Sequence, residues 1–129
     1  MKPINQYKAL LENLKKEKEA LIKQFNAQHA LDDARFAKIE LNIIDVFEKM
    51  LQASEKQVSP SASAGDYLGA FSKVYLAYFE KIPQNWSEHL SECEAFGNIE
   101  GAHIENLKLN QAAALKDAFI ALLKEEGHA

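Results

Sequence analysis

The sequence predicts an all-α protein: an up-and-down antiparallel bundle of three long helices plus a fourth broken near Pro83. Three observations carry this. Only five glycines and three prolines punctuate the 129 residues. Apolar residues recur at spacings of three and four, the period of a helix face, and nowhere alternate as in a half-buried strand. The breaks at "HALDD", "QVSPSASAGD", "KIPQN" and "FGN" cut the chain into lengths that suit helices joined by short turns.

The first helix is expected from Pro3 to Gln28, with proline at the helix start, where its missing N–H does no harm. Tyr7, Leu10, Leu11, Leu14, Leu21, Ile22 and Phe25 form its apolar seam, which is interrupted at Lys18 inside "KKEKE". That run reads as a solvated face with Glu–Lys pairs, or as a seam broken to set register against a partner helix. Asp32 or Asp33 is positioned to cap a second helix over 33–56. Phe36, Ile39, Ile43, Phe47 and Met50 mark its face, and Leu41, Ile44 and Leu51 widen it, so this helix should be the most enclosed. Glu40 and Asp45 read as solvated residues at the edges of that stripe.

"QVSPSASAGD" is too short to separate a pair of domains, so residues 1–129 are read as one. Asp66 is the expected N-cap of a third helix over 67–81, which Pro83 ends by pushing its predecessor out of the α region. A short fourth helix restarts at "NWSE", with Asn85 as cap and Glu88 at the reciprocal position of a capping box. Gly97 suits its left-handed ending. The last helix is expected from Asn98 or Gly101 to Glu126, with Ile104, Leu107, Leu115, Phe119 and Leu122 buried.

Half of the twelve aromatic residues fall between 65 and 86. Tyr67, Phe71, Tyr75 and Phe79 recur every fourth residue and share one helix face, with Val74, Tyr78 and Ile82 beside them and Trp86 following on the short fourth helix. Core packing accounts for most of this stripe. Its excess, on a helix apolar nearly all round, marks the six aromatic residues as a candidate interaction surface and suggests a homodimer or contact with another protein.

Composition narrows the rest. The formal net charge is -4, and fourteen of the fifteen basic residues are lysine, which argues against nucleic-acid binding. No apolar run approaches a membrane span and none resembles a signal peptide. A single cysteine, Cys93, allows no internal disulfide, so a cytoplasmic location is expected. His89 and Cys93 at i,i+4 could reach one metal with Glu92 or His103, but Trp86, Leu90 and Cys93 also form an ordinary buried stripe. "EGAH", 100–103, has one copy of the Glu-x-x-His spacing of di-iron bundles, which need two. No phosphate-binding loop, nucleophile elbow or zinc-protease motif occurs. No catalytic, cofactor or metal residue is therefore assigned, and an enzyme is not expected. The leading expectation is action through protein–protein contacts. The alternative is a ligand- or metal-binding bundle whose aromatic third helix lines a pocket.

Overall fold

A computed structural model of the protein describes residues 2–58 and 64–125, the side chains of 64–66 excepted. It is an all-α bundle of α1 (Lys2–Ala27), α2 (Leu31–Gln57), α3 (Ala64–Lys81), α4 (Gln84–Ala95) and α5 (Ile99–Glu125). Among the described residues there is no strand. The bent α3–α4 pair is the broken fourth member. The predicted ending at Glu126 and the Asp66 side-chain cap lie outside the described residues. α3 begins before Asp66, which stands in its first turn.

Two of the predicted caps are not used, and the reasons are local. Ala30, not an aspartate, is the N-cap of α2 and makes no side-chain bond. The residue before it, His29, has φ 57°, and this left-handed step sends the Ala30 N–H back to the Phe25 carbonyl at 2.8 Å. The chain enters α2 at once, so Asp32 and Asp33 fall in its first turn, where their charge meets the positive end of the helix. Asn85 is not a cap either; Pro83 holds that place. The Ile82 N–H still bonds the Tyr78 carbonyl at 3.0 Å and the Ser87 N–H bonds that of Pro83 at 2.9 Å. Residues 82–83 form a turn between the two helices, and because Pro83 is already the N-cap of α4, Asn85 lies inside the helix and Glu88 has no reciprocal role.

The α4–α5 turn repeats the α1–α2 turn. Gly97 has φ 69°, and the Asn98 N–H bonds the Cys93 carbonyl at 2.8 Å, as in a Schellman ending. Asn98 then caps α5 by accepting the Gly101 N–H on Oδ1 at 3.0 Å. A Cβ on Gly101 would lie 2.8 Å from the Cys93 sulfur and 2.5 Å from Asn98 Nδ2, so glycine permits the close approach of α4 to α5.

α1 and α2 pack along much of their length. Lys8 reaches Glu55 at 2.9 Å, Lys15 reaches Glu48 at 2.9 Å and Asp45 at 3.4 Å, and Lys18 reaches Glu40 at 3.3 Å. The break in the α1 seam is thus filled by lysines that match carboxylates on α2. Glu40 and Asp45 are their partners rather than free solvated groups. Such pairs contribute only about 0–1 kcal/mol each, but they penalise any slip of one helix along the other.

α2 is buried at intervals from Ala34 to Ser54. α3 covers its C-terminal half, whereas α4 packs chiefly on α5. The molecule therefore has two unlike ends. At the closed end α1, α2, α3 and α5 all contribute to a core that includes Tyr7, Phe47, Phe71, Tyr75, Leu115 and Phe119. At the other end, which holds the α1–α2 and α4–α5 turns, burial is thin. α1 has no buried residue after Leu11, and Cys93 is the buried residue of α4.

Candidate functional site

The six aromatic candidates divide sharply. Phe71 and Tyr75 are fully buried and Phe79 is 7% exposed. Phe79 stacks on Phe47 with ring centroids 4.1 Å apart and planes 2° from parallel. Tyr75 meets Tyr7, Phe79 and Phe119 edge-on at 5.6, 5.1 and 5.0 Å. Its hydroxyl lies 2.9 Å from that of Tyr7, and each of the two also donates at 3.2 Å to a carbonyl, Tyr75 to Phe47 and Tyr7 to Leu115. Two protons serve three contacts, so the pair ties α1, α2, α3 and α5 together through shared bonds. Burial pushes both hydroxyls well above the ordinary tyrosine value.

Tyr67, Tyr78 and Trp86 are half-buried against the same core. Tyr78 accepts a bond from Gln57 Nε2 at 2.7 Å, and Tyr67 lies beside Phe71 at 6.2 Å. The aromatic residues of α3 are thus core or core edge. Phe71, Tyr75 and Phe79 pack inside the bundle, whereas Tyr67, Tyr78 and Trp86 keep part of their surface open, and Tyr78 lines a shallow groove with Gln57, Val74 and Lys81.

The strongly exposed apolar residues stand elsewhere. Phe96 is 87% exposed, Ile99 84% and Leu31 65%. Phe96 and Ile99 flank the Gly97–Asn98 turn, and Leu31 opens α2. The two turns lie at one end of the molecule, because Arg35 of α2 bonds Glu100 of α5 and the Phe36 ring meets the His103 ring at 4.8 Å. Beside Ile99 an open cavity of about 480 Å³ is lined by residues of α4 and α5 that include Cys93, Asn98, Ala102 and His103.

Behind this turn sits a polar cluster. Glu105, 4% exposed, accepts Lys108 at 3.0 Å and lies 3.2 Å from His89 Nδ1, all on Oε1. Its other oxygen is buried without a hydrogen-bond partner in the protein. His89 Nε2 is 3.7 Å from the Cys93 sulfur, and Asn98 Nδ2 is 3.8 Å from it. His103 turns away to Phe36 and Glu100 to Arg35, which takes the Glu-x-x-His pair apart. Among the described residues no three histidine, cysteine or carboxylate side chains converge as a metal site would need.

The sequence contained a signal for Glu105 that the predicted stripe of Ile104 and Leu107 missed. Followed back from Phe119 through Leu115 and Ala112, the buried face of α5 lands on Lys108, Glu105 and Gly101. Two charged residues thus occupy core-facing positions beneath α4.

These features define a class by architecture alone, a four-helix bundle with a bent third member and two short hairpin turns at one end. No family model, curated protein or solved structure matches the chain.

Proposed function

We propose that the protein acts by protein–protein contact, by binding rather than catalysis, and that its contact surface is the end bearing the two hairpin turns. The observation that carries this is the exposure of Phe96 and Ile99 on either side of a turn fixed by its own backbone bonds. Rigid apolar anchors of this kind lose little entropy on binding and are where interface energy concentrates. Leu31, at the start of α2, is a further exposed apolar residue at this end. Among the described residues no helix is long and apolar enough to cross a membrane. The single cysteine, which allows no internal disulfide, fits a reducing compartment such as the cytoplasm.

The test compares the wild-type protein with a Phe96→Ser, Ile99→Ser variant by sizing extracts of the cells that make it. The wild-type chain should elute in a larger assembly, and the variant should elute as free protein with unchanged helicity. Identical elution of the two would reject the assignment of this surface.

A further inference from the structure

The occupant of the hairpin end can be specified from its charge. Residues 28–36 and 92–103 hold five carboxylates, Asp32, Asp33, Glu92, Glu94 and Glu100, and one cationic side chain, Arg35. All five carboxylate residues are exposed. Arg35 is already engaged by Glu100. These two stretches sum to -4, equal to the formal net charge of the whole chain, with the exposed Lys23 and Lys38 lying just outside them. Along the α1–α2 seam, by contrast, lysines are set against carboxylates. At the hairpin end the carboxylates outnumber the cations and surround Leu31, Phe96 and Ile99.

We infer that this end receives a basic amphipathic segment of another protein, not a second copy of this chain. The inference rests on the contact surface proposed above and names the chemistry of its partner. A two-fold contact through this end would bring two such carboxylate clusters together, inside the roughly 8–10 Å over which charges interact at ordinary salt. A lysine- or arginine-bearing segment meets the opposite field, which speeds encounter and excludes acidic competitors. Its apolar face has somewhere to go. The open cavity beside Ile99, about 480 Å³, is lined by Ala102 and Cys93 among others and offers a recess against which an apolar side chain can pack. Glu94 stands at the rim of that cavity, placed to meet a cation flanking the inserted side chain.

The experiment uses the full chain and two synthetic amphipathic helices of equal length, one of leucine and lysine, the other of leucine and glutamate. Binding is read by fluorescence anisotropy and located by NMR shifts. The lysine peptide should bind, shift the amides around Phe96 and Ile99, and weaken by about tenfold or more as salt rises to shorten the Debye length. Phe96→Ser with Ile99→Ser, which keeps every charge, should weaken it by about tenfold. Glu92→Gln with Glu94→Gln, which keeps every anchor, should do the same. Both variants alter exposed side chains, and circular dichroism confirms that each is folded. Lysine-peptide binding that ignores the Phe96 and Ile99 changes would be adsorption by charge alone and would overturn the inference. Failure of the lysine peptide to bind would overturn it as well. Tighter binding of the glutamate peptide through Phe96 and Ile99 would overturn the basic partner while leaving the contact surface standing. Concentration-dependent dimerisation abolished by the Phe96 and Ile99 changes would identify a second copy as the occupant, with the same consequence. Preference for phosphatidylcholine vesicles over the lysine peptide would replace the protein partner by a lipid surface.

Discussion

Tyr75 joins the closed end together, and two consequences follow for single residues. The first concerns pH. Burial holds Tyr7 and Tyr75 neutral; the bond to Tyr75 opposes it at Tyr7, whereas the Tyr7 hydroxyl and the charge of Glu48 add to it at Tyr75. Their folded values lie above the ordinary 10.0, so the stability they provide is complete below about pH 10 and is lost as pH rises beyond it. Lys15, raised chiefly by its bond to Glu48, acts in the same direction. Urea midpoints should therefore hold level from neutrality to about pH 10 and then fall, and Tyr75→Phe should make that fall shallower. An equal alkaline loss in the variant would show that these hydroxyls do not report on folding. The second consequence concerns Phe47, fully buried and stacked on Phe79. Phe47→Ala should cost about 3–5 kcal/mol in urea unfolding, the ordinary range for truncating a buried phenylalanine. A loss under about 1 kcal/mol would mean the site is not packed.

At the scale of elements, the two hairpin turns solve one problem with different residues. Each needs a left-handed residue after the helix end. Gly97 supplies it without strain, whereas His29 carries a Cβ into the same conformation. His29→Gly should raise stability by roughly 0.5–1 kcal/mol, the steric relief exceeding the entropy glycine adds to the unfolded chain. A lower melting temperature in that variant would contradict this account of the turn.

The two turns also show what a sequence makes legible. The Pro83 break and the Gly97 ending could be read because each depends on one residue's own backbone preference. The caps at Asp32 and Asn85 could not, because cap use depends on where the chain turns, and His29 and Pro83 turn it earlier. Glu105 and Lys108 were missed because aliphatic neighbours drew the stripe onto Ile104 and Leu107. The register that buries Glu105 and half-buries Lys108 is set by Ala112, Leu115 and Phe119 at the far end of the helix.

For the whole molecule, the architecture was legible, whereas the most exposed apolar residues were not. A helix that is apolar nearly all round must be covered, but periodicity does not say by what. Here α2 and α5, with Tyr7 of α1, do most of the covering of α3, and its aromatics interlock at the closed end. The residues left exposed, Phe96 and Ile99, are two apolar positions beside a turn and belong to no stripe. The proposed contact surface lies at the hairpin end rather than along α3. Photo-crosslinking tests it most directly, with a benzophenone amino acid placed at Phe96 in one variant and at Tyr78 in another. Each is expressed in the cells that make the protein and irradiated. A discrete covalent adduct is expected from position 96 and none from position 78. An adduct from position 78 with none from position 96 would contradict it.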